Sequence, residues 1–450
     1  MVKKIRIGTG AGYSGDRIEP AVALAEQGNL DYLVFECLAE RTIALAQKRR
    51  LADLSAGYDP MLKERFRKVL SPCAKNKTRI ITNMGAANPK AAGKIIFDLL
   101  KEFGLTHLKV GVVLGDDVFD RLLSTNFSIL KKTKDIQKIK EKIISANVYL
   151  GTSKIIEALK NDADIIITGR TCDSSLFLAT MMFEFDWKED DWDKIGKGIA
   201  IAHLMECGAQ VTGGYFADPG YKDVEDLANL GFPIAEVFEN GEGLITKLPT
   251  SGGEVSLRTC KEQILYEVHD PSSYITADGI ADFTKLRFEE IEKDKVKISG
   301  GIGKPRPDDL KVLIGFRNGY VGEAQISYGG EGAFRRAELA AKILRERIKI
   351  LDLKFEDLRL DYIGVNSLWP DNSHFENLKE VRLRVIGRAQ TREDAEKLPY
   401  EVEALYTNGP AGGEGVSKGI EESIAIISAF IPREEVIEKV EFIGEENEED

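Results

Sequence analysis

The chain has 450 residues, of which 43% are hydrophobic and 30% are charged, and its formal net charge at pH 7 is −12. This composition is typical of a globular protein that is long enough for more than one domain. Its acidic balance excludes the broad basic surface on which nucleic-acid binding depends, so no nucleic-acid partner is expected.

The N-terminus, MVKKIRIG, enters a predicted strand at once and has no apolar stretch of signal-peptide length. No apolar run approaches the roughly 18 residues of a membrane span, so no membrane partner is expected. The five cysteines are widely spaced and form no C-x-x-C motif, which argues against a disulfide framework or a zinc ribbon. We therefore expect a cytoplasmic protein.

The first half of the chain alternates short apolar strands with helices. Strands are predicted over 4–7, 32–35, 79–82, 109–114 and 164–168, and helices over 18–27, 41–50, 90–103 and 174–183. Uniformly apolar strands joined by amphipathic helices predict an α/β fold with a mostly parallel sheet and helices on both faces. The loops that follow the strands should then line one edge of the sheet, where such folds bind ligands.

The sequence becomes more polar and richer in glycine near residue 215. Strands over 311–316 and 320–328 flank Asn318-Gly319, a strong hairpin signal. A helix over 331–348, strands over 359–365 and 380–386, a helix capped by Thr391 and a last strand over 423–430 follow. We predict an α/β domain over 1–215, a smaller α+β domain over 216–444, and a solvated acidic tail over 445–450.

The stretch GTGAGYSGDR (8–17) contains the pattern G-x-G-x-x-G at Gly10, Gly12 and Gly15. In dinucleotide-binding folds this pattern follows the first strand and cradles a pyrophosphate. Glu36 ends the second predicted strand, where the ribose-binding acid of such a fold would lie. An NAD(P)-dependent enzyme is therefore one alternative.

The residues after the third glycine argue against a dinucleotide. Asp16 would compete with a pyrophosphate for the same backbone N–H groups at the helix N-terminus. Asp16 and Glu19 instead have the spacing of a capping box, and Arg17 would have to reach back over the loop to hold an anion. A purely structural turn and a polar active-site loop remain open beside the dinucleotide site.

Other loops on the same predicted edge favour an active-site loop. Each predicted strand of the first half is followed by polar or charged residues, which is a higher density than ordinary connections need. These residues are Glu36 and Glu40, Asn83 and Asn88, Asp116 and Asp117, and Arg170, Cys172 and Asp173. We therefore predict a ligand site along this edge.

Several sequence blocks also resemble the acyclic terpene utilisation protein AtuA family. They are GAGYSGDR, LDYLVFECLAERTIALAQ, SAGYDP, TNMGAANP, TGRTCDSS, HLMECGAQVTGGYF and TNGPAGGEG, and they extend through nearly the whole chain. The resemblance implies a role in citronellol and geraniol breakdown, in which acyl-CoA thioesters are carboxylated, hydrated and cleaved. It assigns no reaction and no catalytic residues, and it is not a resemblance to a dehydrogenase family.

Cys172 and His203 each have two interpretations. Cys172 follows a strand near the start of a helix, where a thiol can serve as a nucleophile, but a buried filler is the commoner role of a free cysteine. Asp173 is an acid or a plain N-cap. His203, Glu206 and Cys207 share one helical face, and a core histidine is favoured over metal ligands or an acid/base pair.

A carboxylate pair and a glycine-rich loop also allow more than one interpretation. Glu36 and Glu40 would form a carboxylate pair that divides acid and base roles, unless Glu40 simply pairs with Arg41 or Arg17. The glycines of TNGPAGGEG, among them Gly412 and Gly413, predict either an anion-binding nest or a mobile linker. With four histidines in the chain, no histidine-rich metal centre is expected and no metal ligand is assigned, while a divalent ion bound by Asp116, Asp117 or Glu36 stays open.

Together these observations predict an enzyme that acts by acid/base chemistry on an acyl-CoA or related branched-chain acid, through hydration, C–C cleavage or thioester hydrolysis. A non-catalytic subunit or scaffold of an acyl-CoA carboxylase is the alternative. No cofactor is assigned beyond CoA as part of the substrate, and a homo-oligomer is expected. The predicted catalytic residues are Glu36, Asp16, Asp173 and Cys172. The predicted substrate-binding residues are Gly10, Gly12, Ser14, Arg17, Asn83, Asn88, Arg170, Gly412 and Gly413.

Overall fold

The computed structural model describes residues 3–131, 136–369 and 378–444, so the predicted tail over 445–450 lies outside the described residues. The strands are β1 Lys4–Ala11, β2 Tyr32–Phe35, β3 Arg79–Thr82, β4 Val110–Leu114, β5 Ile143–Val148, β6 Ile165–Thr168, β7 Ile234–Phe238, β8 Gly243–Thr246, β9 Tyr274–Ile275, β10 Ile280–Glu292, β11 Lys295–Lys304, β12 Asp309–Gly329, β13 Asp357–Ile363, β14 Glu380–Ala389, β15 Gly413–Pro432 and β16 Lys439–Ile443. The helices are α1 Glu19–Gln27, α2 Glu40–Ala52, α3 Leu62–Asn76, α4 Pro89–Phe103, α5 Phe119–Ser124, α6 Ile136–Ile139, α7 Ser153–Lys160, α8 Ser175–Glu184, α9 Trp192–Glu206, α10 Leu257–Gln263, α11 Ala333–Ile350 and α12 Arg392–Asn408. None of the helices in these ranges has the length and apolar character needed to cross a membrane.

The predicted α/β class is confirmed by a large mixed sheet with the order β16-β4-β6-β3-β2-β1-β7-β8-β11-β10-β9. Strands β1, β2, β3, β6 and β4 run parallel to one another. Antiparallel strands extend the sheet on both sides, with β16 beside β4 and β7 beside β1. The parallel strands coincide with the apolar runs of the first half.

Helices cover both faces of this sheet. Helices α1, α3 and α4 pack together on the large apolar core that includes Phe66 and Ile96, while α7, α8 and α9 form a second row. Helix α4 illustrates the local signals, because Asn88 Oδ1 accepts the N–H of Ala91 at 3.3 Å and Gly104 ends the helix in the left-handed conformation. This is the N-cap and C-cap pattern that favours a helix at this position.

The chain forms two compact units. Unit 1 comprises residues 1–140, 144–314 and 426–450, and unit 2 comprises 141–143 and 315–425. The mixed sheet lies in unit 1, and strands from both sides of residue 215 belong to it. The domain boundary near residue 215 stays a prediction.

Unit 2 contains a second sheet with the order β13-β14-β12-β15 and its own apolar core with α11 and α12. The predicted hairpin at Asn318-Gly319 is wrong, because β12 runs without a turn from Asp309 to Gly329. Gly319 has φ +77, and a Cβ there would lie 2.2 Å from the carbonyl oxygen of Ala389 on β14. The glycine therefore allows a strand irregularity and a close approach of two backbones, which are common roles of glycine outside turns.

Candidate active site

The polar residues that follow the parallel strands meet at one edge of the mixed sheet. Neighbouring strands end in register, with Ala11 opposite Phe35 and Phe35 opposite Thr82, so the residues that follow them are also neighbours. The backbone N–H of Glu36 donates to the carbonyl oxygen of Ala11 at 2.9 Å. Asn83 Nδ2 donates to Glu36 Oε1 at 2.7 Å. Loops that are far apart in the sequence are therefore in contact.

Arg170 is fully buried at this edge. Its Nε and Nη2 donate to the carbonyl oxygen of Thr171 at 2.9 and 2.7 Å, and its Nη1 donates to that of Leu38. Nη2 also pairs with the carboxylate of Asp173 and lies 3.9 Å from Glu36 Oε1. The guanidinium thus serves as the counter-charge for two carboxyls. Its role as a direct ligand of a substrate anion stays a prediction.

Asp173 is enclosed by protein and yet reaches solvent. Of its side-chain surface, 39% is accessible, whereas its partner Arg170 has none. Burial raises the pKa of Asp173 well above its ordinary value; Arg170 opposes the rise, and the carboxyls of Glu36 and Glu206 add to it. Burial therefore favours the protonated form of Asp173, its ion pair with Arg170 favours the charged form, and part of its side chain stays accessible to a small molecule.

Glu36 is the buried member of the cluster. Its Oε1 accepts the N–H of Leu38 at 3.0 Å in addition to the amide of Asn83. Burial raises the pKa of Glu36, the positive charge of Arg170 opposes the rise, and the carboxyl of Glu206 adds to it. Glu36 and Asp173 thus share one buried guanidinium, and the charge of the nearby Glu206 acts on both of them.

Glu206 and His203 belong to this site, although the sequence favoured a core role for the histidine. His203 Nδ1 and Glu206 Oε1 are 2.7 Å apart at the end of α9, and both side chains are buried. The hydroxyl of Tyr274 lies 3.3 Å from His203 Nδ1. Glu206 Oε2 and His203 Nε2 have no hydrogen-bond partner among the described residues. The spacing of three between His203 and Glu206 was the available signal.

The two cysteines near the carboxyls are poorly suited to nucleophilic attack. Burial raises the pKa of the Cys172 thiol to about 11, and the negative charge of Asp173 adds to this rise. Burial and the charge of Glu206 likewise raise the pKa of Cys207. Since the thiolate is the reactive form, the geometry does not favour the predicted nucleophile Cys172.

The glycine motif is packed against protein. A Cβ on Gly10 would lie 2.5 Å from the ring of Phe35, and one on Gly12 would lie 2.2 Å from the backbone of Cys207. The N–H of Gly12 donates to Asp16 Oδ2 at 2.8 Å. One of the N–H groups that a pyrophosphate would need is therefore used by the protein itself.

The predicted capping box of Asp16 and Glu19 is wrong. Helix α1 begins at Glu19 with Ile18 as its N-cap, and no side chain caps it. Asp16 instead turns back to the loop, where the fully buried Arg65 donates to the carbonyl oxygens of Asp16 and Ser14 at 2.9 and 2.8 Å. Asp16 and Ser14 thereby stabilise the loop, and their predicted contact with a substrate stays a prediction.

The remaining predicted binding residues lie in other surroundings. Asn88 caps α4 and donates to the carbonyl oxygens of Leu54 and Ala56, so its polar atoms serve the local backbone. Arg17 donates to carbonyl oxygens of residues 227 and 228 and lines a separate cavity. Gly412 and Gly413, which belong to unit 2, lie at the start of β15, and Gly412 has φ +71.

Comparison with known proteins agrees with the sequence blocks on which the resemblance rests. The sequence model described as acyclic terpene utilisation family protein AtuA matches residues 5–442, which is nearly the whole chain. The chain belongs to the AtuA family. Comparisons with curated proteins and with solved structures found no match. Membership in the AtuA family connects the chain with acyclic terpene utilisation, and it leaves the reaction to the geometry of the site.

Two acidic residues near the site of this AtuA family member have defined partners. Glu40 pairs with Lys311 and accepts a hydrogen bond from the hydroxyl of Tyr149 at 3.2 Å. Asp116 is buried and accepts from Asn147 Nδ2 and from the N–H of Arg170, each at 2.9 Å. Both residues hold loops of the site in place.

The chemistry available at the site is acid/base chemistry. Within the described ranges, no group of three or more histidine, cysteine, aspartate or glutamate side chains has an arrangement that could hold a metal ion. The cluster offers a partly accessible carboxyl at Asp173, whose burial raises its pKa, and a buried carboxyl oxygen at Glu206 that has no partner among the described residues. Carboxyls held in such different surroundings can divide the roles of general acid and general base.

Proposed function

We propose that this AtuA family member is an enzyme that hydrates, or cleaves at a C–C bond, an acyl-CoA or related branched-chain carboxylic substrate by acid/base chemistry. The observation that carries the proposal is the pair of carboxyls, Glu36 and Asp173, at the buried guanidinium of Arg170, with the carboxyl of Glu206 close enough to act on both. Mutual repulsion and burial disfavour the simultaneous ionisation of these carboxyls. Carboxyls with strongly perturbed pKa values are typical of catalytic sites.

The roles follow from access and charge. Asp173, whose side chain is partly accessible and whose burial favours the protonated form, would deliver a proton to the substrate, and Glu206 would accept one through Oε2, a buried atom without a partner among the described residues. In a hydration, the carboxylate takes a proton from water as the oxygen bonds to the β-carbon of an enoyl group, and Asp173 protonates the α-carbon. C–C cleavage of a β-hydroxyacyl group needs the same two transfers, with the hydroxyl proton as the one removed.

Thioester hydrolysis is the least supported of the three predicted reactions. A covalent route would require the thiolate of Cys172, and burial holds the pKa of that thiol at about 11. Hydrolysis would therefore depend on a water molecule activated by a carboxylate. We accordingly place hydration, and the related C–C cleavage, ahead of hydrolysis.

The test is a direct assay of purified protein with branched 2-enoyl-CoA and 3-hydroxyacyl-CoA thioesters, with product detection by mass spectrometry. Asp173→Asn and Glu206→Gln should each lower kcat by about 10²-fold or more, since general acid/base catalysis contributes about 10²–10⁴-fold. Asp186→Asn, which changes an exposed aspartate paired with Lys188, is the matched control and should retain full activity. Equal activity of all four proteins would refute the assignment.

The two alternative functions, a carboxylase scaffold and an NAD(P) enzyme, have less support. The scaffold of an acyl-CoA carboxylase would need an interface and no perturbed carboxyl cluster, so the cluster favours catalysis over it. An NAD(P) enzyme would need free N–H groups at the glycine motif, and the N–H of Gly12 is bonded to Asp16. Carboxylase subunits as partners, a homo-oligomer and a cytoplasmic location stay predictions. CoA as part of the substrate, with no further cofactor, belongs to the proposal.

A further inference from the structure

A cavity lies in unit 1 apart from the carboxyl cluster, with which it shares no lining residue. It has a volume of about 400 Å³ and lies between the start of α1 and the segments around residues 230 and 250. Much of its wall is apolar, and this part is formed by Pro20, Ala23, Leu24, Leu230, Phe232 and Leu248. Cavities of this size and character are typical of small-molecule sites.

Arg17 provides a fixed positive charge at the rim of this cavity. The side chain is exposed, and its Nη1 donates to the carbonyl oxygens of Leu227 and Ala228 at 3.2 and 2.8 Å. Among the described residues no carboxylate pairs with it, and its Nε and Nη2 have no protein acceptor. A guanidinium held by one nitrogen, with its remaining donors free, is well prepared to bind a carboxylate in a bidentate manner.

Glu19 also lies at this rim, in the first turn of α1. It is exposed, and no side chain or backbone donor within the described residues pairs with it. The two charged residues have opposite effects on a charged ligand, so the pair offers a test of the sign of the ligand's charge. Because the carbonyl oxygens fix Arg17 and nothing fixes Glu19, the arginine is the better ordered of the two.

From these observations we infer that the cavity binds a medium-chain apolar monocarboxylate. Its chain would lie on the apolar wall, and its carboxylate would pair with Arg17. At about 30 Å³ for each water-sized group, a volume of about 400 Å³ holds about a dozen non-hydrogen atoms. This is the size of decanoate or of a branched acid of similar length.

The inference does not depend on the reaction proposed for the carboxyl cluster. The cavity would hold a free acid, whereas the cluster is assigned to an acyl-CoA or related substrate, and the two sets of residues can be changed separately. A ligand bound at Arg17 would therefore remain bound when Asp173 or Glu206 is substituted. Loss of catalysis in those variants has no bearing on this cavity.

The test is calorimetric titration of the full-length protein with decanoate and with decan-1-ol, which has the same chain without the charge. Wild-type protein should bind decanoate at least tenfold more tightly than decan-1-ol. Arg17→Gln should weaken decanoate binding about tenfold, which corresponds to about 1.4 kcal/mol, and leave decan-1-ol unaffected. Glu19→Gln should tighten decanoate binding about two- to fivefold, the effect of an exposed charge pair. Arg392→Gln, an exposed arginine on α12, is the matched control.

Ala23→Phe provides a second line of evidence, because the larger side chain would fill the cavity. Binding of both probes should be lost while the circular dichroism spectrum and Tm stay close to those of the wild type. If Ala23→Phe does not fold, the Arg17→Gln and Glu19→Gln titrations decide alone. The inference would be overturned if decanoate did not bind, or if the two probes bound with equal affinity. It would also be overturned if Arg17→Gln left the affinity for decanoate unchanged.

Discussion

Replacement of the buried Asp116 by asparagine should stabilise the protein at neutral pH. Burial is the largest cause that raises the pKa of Asp116, which reaches about 6 from an ordinary value of 3.8, and the charge of Asp117 adds to the rise. The N–H of Arg170 and the amide of Asn147 bond to one oxygen, Oδ2. An asparagine oxygen placed there can accept both hydrogen bonds, so the substitution removes the charge and keeps the acceptor.

The sign and size of the effect follow from linkage. Because the pKa in the folded state lies above that in the unfolded state, Asp116 lowers stability as pH rises from about 4 through about 6, and the full cost is present above that range. A rise of about two pKa units corresponds to about 3 kcal/mol at 1.36 kcal/mol per unit. Ionisation of Asp116 should therefore lower the unfolding free energy of the wild type by about 2–3 kcal/mol between about pH 4 and pH 7.5. Asp116→Asn should not show this loss.

The assay is urea denaturation of both proteins at intervals of pH across this range. The difference in unfolding free energy between Asp116→Asn and wild type should be small near pH 4 and should grow with pH in favour of the variant. Asp186→Asn is the control: Lys188 lowers the pKa of this exposed aspartate, so its substitution should produce no gain towards neutral pH. A difference that is independent of pH, or that favours the wild type at pH 7.5, would refute the reasoning.

Three further outcomes are expected. Gly12→Ala should cost about 1–3 kcal/mol of unfolding free energy in urea denaturation, because the added Cβ would lie 2.2 Å from backbone. The control Gly419→Ala should cost far less, because a Cβ there has no neighbour within 4 Å. Alkylation of Cys172 by iodoacetamide, followed by mass spectrometry of its peptide, should be slow at pH 7.5 and rise towards about pH 11; fast labelling at neutral pH would contradict this. Arg65→Met should cost about 3 kcal/mol of unfolding free energy, since it leaves the half-buried carbonyl oxygens of Ser14 and Asp16 without their donor. The exposed control Arg67→Met should change the midpoint little.

The parallel strands could be predicted because their signal is local. The predicted runs 32–35 and 79–82 coincide with β2 and β3, since a strand buried on both faces must be apolar at every position. The antiparallel strands β10 and β11 were not predicted, because their exposed faces carry polar residues that weaken the pattern. The hairpin predicted at Asn318-Gly319 was wrong for a related reason, because a left-handed glycine fits a hairpin turn and a strand irregularity equally well.

The meeting of Glu36, Asn83 and Arg170 was also predictable, because the register of parallel strands brings the residues after them to one edge. Glu206 could not be placed there by the same reasoning, since it lies at the end of α9 rather than after a strand. Its position depends on how α9 packs over the sheet, and the close contact between Gly12 and the backbone of Cys207 is part of that packing. Such contacts between distant segments have no signature in either segment alone.

The sequence could not separate polar residues that meet a ligand from those that support the site. Buried polar groups must find partners, so a dense polar edge is expected to satisfy most of its own hydrogen bonds. Asn88 caps a helix and Arg170 makes four hydrogen bonds to carbonyl and carboxyl oxygens, and both were predicted as ligands because they are polar residues in loops at this edge. Accessible side-chain surface distinguishes Asp173, whereas Glu206 Oε2 shares its lack of a partner among the described residues with His203 Nε2 and Thr171 Oγ1. Residual capacity for hydrogen bonding, rather than polarity, is therefore the property that would have to be known to choose between ligand contacts and supporting residues, and it depends on the folded surroundings.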